Sequence, residues 1–223
     1  NKREDFGIMC GVVGIVSKNI IPTDIIEKLL LQSKIRGQHA TGISYVDDDL
    51  LKTEKIAKNA TFLNVKNINT RCLIAHTRYS TSSLEHNQPI AYDDLAVVHN
   101  GVITQEDSSH WGKYDYEFKT KNDSEFIIKS FLQKSHPVSD YVEASISAIV
   151  INNQTKELHF FRNEKRPLYY CYEDDMFVMA STKDILLRSG FEKVNKCRCC
   201  VNYTIKNNQI SYYEIREVTT DLQ

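Results

Sequence analysis

Six short segments carry side chains suited to acyl-transfer chemistry. They are Met9-Cys10-Gly11, Arg36-Gly37-Gln38-His39-Ala40-Thr41-Gly42, Ala75-His76-Thr77-Arg78-Tyr79-Ser80-Thr81, Asn87-Gln88-Pro89, His99-Asn100-Gly101 and Asn122-Asp123-Ser124-Glu125. A cysteine attacks as the thiolate, and an unassisted thiol is mostly protonated at neutral pH. No Cys-His pair at a protease-like spacing supplies a base. Met9 points to another source: once the methionine is removed, the α-amine of Cys10 lies beside its own thiol and titrates at about 7.7–8.0. Taken singly, Cys10 reads better as a small buried strand residue, since free cysteine is among the most buried residue types.

The other segments have comparable double readings. An Asn amide beside a glycine N–H, as in Asn100-Gly101, can form an oxyanion hole, and the same dipeptide is a strong hairpin-turn signal. Arg78, at the end of an apolar run, can clamp a carboxylate bidentately. Asp123 can accept from an ammonium or can serve a helix start. An Arg and an Asp aimed at one site would hold the zwitterionic end of an amino acid. Such a pocket would require Arg78 and Asp123 to face the same cavity as Cys10. His76 and His99 are expected to make structural hydrogen bonds rather than transfer protons.

The elements that must position these groups alternate in runs. Cys10 to Val16 reads as a buried strand, and Pro22-Thr23-Asp24 opens a helix with Ile25, Ile26, Leu29 and Leu30 at helical spacing. Further strands are expected at Ile43–Val46, Cys72–His76 and Leu95–His99. A second helix opens near Asn122–Ser124. Paired strands follow at Ala144–Asn152 with Glu157–Arg162 and at Leu168–Tyr172 with Met176–Ala180. A last helix covers Thr182–Ser189, and a hairpin turns at Asn207–Asn208. Strands and helices in runs, without strict βαβ alternation, indicate an α+β layered sandwich.

Taken together and in order, the segments resemble the class II glutamine amidotransferases. The carrying strings are C-G-V-V-G-I-V, R-G-Q-H-A-T-G-I, H-T-R-Y-S-T, N-Q-P, V-H-N-G-V-I and D-S-E. The R-G-Q and R-Y-S-T forms are most similar to amidophosphoribosyltransferase, and V-V-H-N-G-V-I is equally like glucosamine-6-phosphate synthase. Weaker similarity continues through Ala144–Asn152, Arg166-Pro167-Leu168 and Ala180-Ser181. The resemblance implies a four-layer αββα sandwich of the N-terminal-nucleophile hydrolase type, with a processed N-terminal cysteine. It implies Cys10 as nucleophile, the Asn100 amide and Gly101 N–H as oxyanion hole, and Arg36 supporting the site. Arg78 would bind the glutamine α-carboxylate and Asp123 the α-ammonium, with Tyr79 and Thr81 lining the pocket. Residues 1–9 would be a leader, a propeptide or appended residues, and residues 10–223 the glutaminase domain. The ammonia acceptor would be a separate synthase or transferase subunit. The alternatives are a catalytically silent regulatory or assembly subunit, and an N-terminal-nucleophile amidase with another amide substrate.

Bulk composition narrows the setting. The chain has 223 residues, 41% hydrophobic and 26% charged, with a formal net charge of -1. These values fit an ordinary globular domain and give no electrostatic reason to bind nucleic acid or an anionic membrane. No apolar run is long enough to span a bilayer and no signal peptide is evident, so a cytoplasmic location is expected. Six cysteines, unevenly placed, point to free thiols. Cys197-Arg198-Cys199-Cys200 lacks the second cysteine pair of a structural zinc site. It reads as a strand with Cys197 and Cys199 on one face, and neither a metal nor a cofactor is expected.

Overall fold

The structure, a computed structural model, describes residues 10–35, 37–79 and 86–218. Arg36, Thr81 and residues 1–9, for which a leader was one expectation, lie outside the described residues.

Two antiparallel sheets face each other. The first contains β1 (Gly11–Ser17), β2 (Ala40–Asp47), β3 (Leu50–Ile56), β4 (Cys72–Arg78), β9 (Tyr169–Glu173), β10 (Met176–Ala180) and β11 (Asn195–Lys196), in the order β11-β9-β10-β1-β4-β2-β3. The second contains β5 (Ile90–Tyr92), β6 (Leu95–Val102), β7 (Ser145–Asn152), β8 (Glu157–Arg162), β12 (Val201–Lys206) and β13 (Gln209–Glu214), in the order β13-β12-β8-β7-β6-β5. Helices α1 (Thr23–Lys34) and α4 (Lys183–Arg188) cover the outer face of the first sheet. Helices α2 (Glu125–Leu132) and α3 (Pro137–Asp140) cover that of the second. The result is the αββα sandwich the sequence implied.

Strand alternation assigns each side chain to a layer. From β1, Val13 and Ile15 pack toward α1 with Ile43 and Leu73, whereas Val12 packs between the sheets with Ile74, Ala96, Val98 and Ile149. Because both faces of β1 are covered, its sequence is nearly all apolar. On α1 the buried residues Ile26, Leu29, Leu30 and Ser33 form one stripe at helical spacing. Three hairpins close on two-residue turns with both residues at positive φ, at Asp48-Asp49, Asp174-Asp175 and Asn207-Asn208. Asp and Asn tolerate this conformation, which suits the twist of paired strands.

One expected strand is absent. Cys197 to Cys200 lie between β11 and β12, and Cys199-Cys200 form a turn in which Cys200 has φ 60. Cys197 is buried between the sheets, while Cys199 and Cys200 turn toward Glu164. The alternation proposed for Cys197 and Cys199 fails because the left-handed residue reverses the chain before β12 begins. Among the described residues, no helix is long and apolar enough to cross a membrane.

Candidate active site

Cys10 stands at the head of β1, the middle strand of the seven-stranded sheet. Ser181 anchors the strand there: its N–H donates to the Val12 carbonyl at 3.0 Å and its Oγ accepts from the Val12 N–H at 3.2 Å. The register pairs Gly11 with Thr77 on β4, so the next step brings Cys10 beside Arg78. Burial pushes the Cys10 thiol up from its ordinary pKa. Opposing this, the Tyr79 backbone N–H donates to the sulfur, and the charges of Arg78 and Arg166 favour the thiolate. Burial prevails, so the resting thiol is protonated and needs an acceptor for its proton.

Neither neighbouring histidine is suited to that task. His99 Nε2 lies 3.0 Å from the Ser145 carbonyl oxygen, which can only accept, so Nε2 carries the ring proton. Its Nδ1 therefore accepts from the Ser124 hydroxyl at 2.9 Å. Ser124 Oγ accepts from Gln88 Nε2 at 3.1 Å, and Gln88 Oε1 accepts from the His99 N–H at 2.5 Å, closing a buried ring of contacts. His99 thus has the structural role expected of it. His76 does not follow the same pattern: its buried Nε2 has no hydrogen-bond partner among the described residues. Burial, aided by the charge of Arg78, pushes the His76 pKa down to about 3. Such a ring cannot hold a proton at neutral pH.

The second sheet supplies Asn100 and Gly101. They lie inside β6, paired with Ser147 and Ile146 of β7, and are not at a turn. Ala96 and Val98 pack between the sheets, so alternation sends Asn100 to that interior face and His99 to the outer one. The Asn100 side-chain amide makes no hydrogen bond to another described residue, leaving its donors available. Gly101 has φ +137, and a Cβ built on it would lie 2.0 Å from the Ser145 carbonyl oxygen. Only glycine fits there.

Arg78 and Asp123 line one cleft of about 560 Å³, together with Val102, Thr104, Glu106 and Trp111. Arg78 Nη1 donates to Asn87 Oδ1 at 2.9 Å. Behind the arginine, Gly37 packs directly on the Thr77–Arg78 backbone, and a Cβ there would come within 2.4 Å of the Arg78 nitrogen. Asp123 Oδ2 accepts from the N–H groups of Ile103 and Thr104, at 2.6 and 3.1 Å. The carboxylate thus secures the chain leaving β6 and does not cap α2. Its Oδ1 makes no hydrogen bond to another described residue.

The shared cavity expected for Cys10, Arg78 and Asp123 is found for Arg78 and Asp123. Cys10, Asn100 and Gly101 are not among its described lining residues. Alternation with Val12 on β1 and with Ala96 and Val98 on β6 sends Cys10 and Asn100 toward the space between the sheets. Arg78 links the two parts, lining the cleft while its charge acts on the Cys10 thiol. Tyr79 reaches the Cys10 sulfur through its backbone, and its exposed ring packs on His39 with centroids 5.0 Å apart. Sequence reasoning assigned no role to Arg166, although its charge acts on both Cys10 and His99. The available signal was the Arg166-Pro167-Leu168 string. Nor did it assign roles to Gln88, Ser124 and Ser181.

The profile of the family described as the glutamine amidotransferase domain matches residues 76–188. The chain belongs to this family, and to its class II branch. It is 27% identical over 166 residues to the glutamine–fructose-6-phosphate aminotransferase (isomerizing) of Pseudomonas aeruginosa, covering 68% of this chain and 25% of that protein. It is 29% identical over 148 residues to the amidophosphoribosyltransferase of Pyrococcus horikoshii, covering 60% of this chain and 32% of the relative. The chain therefore spans about a quarter to a third of the length of these relatives. In fold it matches the glutamine phosphoribosylpyrophosphate amidotransferase of B. subtilis complexed with ADP and GMP. That match has a TM-score of 0.77 at 19% identity, over 93% of this chain and 49% of the other.

Proposed function

We propose that this chain hydrolyses glutamine to glutamate and ammonia through a thioester on Cys10, and that the ammonia passes to a synthase or transferase on a separate subunit. The observation that supports this most directly is the double role of Arg78, which borders the Asp123 cleft and acts electrostatically on the Cys10 thiol. In this reading the α-carboxylate of glutamine pairs with Arg78 and its α-ammonium with Asp123 Oδ1. Tyr79 and Thr81 border the bound amino acid, and Arg36 supports the site. The side-chain amide carbon then meets the sulfur.

The Cys10 α-amine, freed by removal of residues 1–9, takes the thiol proton. The thiolate adds to the amide carbon, and the Asn100 amide and Gly101 N–H hold the developing oxyanion. Returning the proton to the amide nitrogen expels ammonia and leaves the thioester. Water, deprotonated by the same amine, then adds to the thioester carbon, and collapse releases glutamate and the thiol. The protonated resting thiol and the two poorly basic histidines favour the amine as the base.

An electrophilic glutamine analogue tests the reading. With a chain beginning at Cys10, it should attach once, at Cys10, and excess glutamine should protect. Labelling elsewhere, or labelling indifferent to glutamine, would overturn the assignment.

A further inference from the structure

The turn that replaces the expected strand brings three potential ligand atoms together away from the catalytic cleft. Cys200 Sγ lies 2.6 Å and Cys199 Sγ 3.4 Å from Glu164 Oε1, and the two sulfurs are 3.1 Å apart. All three atoms fall within 4.8 Å of one another. Arg216 approaches the same carboxylate, with Nη2 2.9 Å from Oε1 and 3.2 Å from Oε2. Cys200 is buried, and Cys199 and Glu164 are partly so.

Two neighbouring thiols can form a disulfide or chelate one ion. A disulfide is disfavoured here: adjacent Cα atoms are about 3.8 Å apart, whereas an ordinary bridge spans roughly 4.4–6.8 Å. Chelation needs only modest opening. With Zn–S bonds of about 2.3 Å and Zn–O bonds of about 2.0–2.2 Å, a tetrahedral ion sets its sulfurs a little under 4 Å apart and each oxygen about 3.5 Å from a sulfur. The present separations are within about 1 Å of those edges. Two thiolates and a carboxylate around a divalent ion leave one net negative charge, which Arg216 offsets while it orients the carboxylate.

We propose that Glu164, Cys199 and Cys200 bind one thiophilic divalent cation of the zinc type, with Arg216 as the partner of the ligating carboxylate. Binding exchanges two thiol protons for the ion and leaves the fourth position to water. No oxidation occurs. The ion ties three segments together: the loop after β8 that carries Glu164 and Arg166, the turn before β12, and the chain after β13 that carries Arg216. It is a structural clip on the loop that also carries Arg166, whose charge acts on the Cys10 thiol.

The test uses the full, reduced chain titrated with cobalt(II) as a spectroscopic probe and then with zinc. One equivalent of cobalt should bind with a thiolate-to-cobalt charge-transfer band, which zinc should abolish by displacement. Cys199→Ser and Cys200→Ser should each eliminate the band, while Cys171→Ser and Cys10→Ala should retain it. Glu164→Gln should weaken binding by at least about tenfold, since it removes a charged ligand. In the unaltered chain, zinc should protect Cys199 and Cys200, but not Cys10, from alkylation, so the result does not depend on the variants folding. Zinc should also raise the melting temperature of the unaltered chain by mass action. Absence of a bound equivalent, a band that survives loss of Cys199 or Cys200, or protection mapped to other cysteines would overturn the proposal.

Discussion

Arg78 and Asp123 reach one cleft from different sides of the sandwich, Arg78 from the end of β4 and Asp123 from just before α2. If they hold the two charged groups of glutamine, they do so in ground state and transition state alike. Arg78→Ala should therefore raise KM strongly, with a smaller fall in kcat from loss of its charge beside the Cys10 thiol. Steady-state glutaminase kinetics of the two chains would check this. A fall in kcat at unchanged KM would assign Arg78 to the chemical step instead.

Asn100 should show the opposite signature. Its amide has no hydrogen-bond partner among described residues, so its loss leaves no protein group unsatisfied. Asn100→Ala should lower kcat by roughly 10²–10³-fold, as loss of an oxyanion donor does, with KM nearly unchanged. Gly101→Ala acts on stability as well. Its Cβ would collide with the Ser145 carbonyl, and its φ of +137 is unfavourable to alanine. A loss of roughly 1–3 kcal/mol is expected from chemical denaturation.

The buried contacts among His99, Ser124 and Gln88 give a third prediction. Ser124→Ala removes the donor to His99 Nδ1 and the acceptor for Gln88 Nε2, leaving both atoms unsatisfied in a closed site. The cost should be about 1–3 kcal/mol in urea unfolding. A change within error would mean that water replaces the hydroxyl at both positions.

Acid sensitivity follows from His76. Its pKa is pushed down to about 3 in the folded chain, against about 6.5 when unfolded. Above about pH 6.5 both states are neutral and the group contributes no pH dependence. Below that, the unfolded chain binds the extra proton, so stability falls as pH falls, by up to about 1.4 kcal/mol per pH unit until the folded group itself titrates near pH 3. His76→Leu should flatten this slope between pH 6 and pH 4 in urea titrations. An unchanged slope would mean that His76 becomes protonated in the folded state.

Much of the fold could be read from the sequence because its strands are buried in recognisable alternation and its helices carry single apolar stripes. Cys10 at the head of β1 and Arg78 at the end of β4 followed from that pattern. The short elements did not. Three-residue β5 and four-residue α3 carry too little periodicity to stand out and depend on their neighbours. Asn100-Gly101 has the composition of a turn, yet pairing with β7 keeps it in a strand. His99 finds its side-chain and carbonyl partners 25 and 46 residues away, a relation no local pattern records. The reversal at Cys200 was hidden because a cysteine at positive φ has no sequence signature.

In the proposed mechanism the α-amine of Cys10 activates its own thiol. With residues 1–9 attached, that nitrogen is an amide and cannot take a proton at neutral pH. The direct measurement is glutamate release from two chains, one beginning at Cys10 and one retaining residues 1–9, with N-terminal masses verified before and after the assay. The chain beginning at Cys10 should hydrolyse glutamine, its Cys10→Ala variant should not, and the longer chain should show little or no activity. Full activity in a chain whose mass shows residues 1–9 still attached would contradict the account and require a different base.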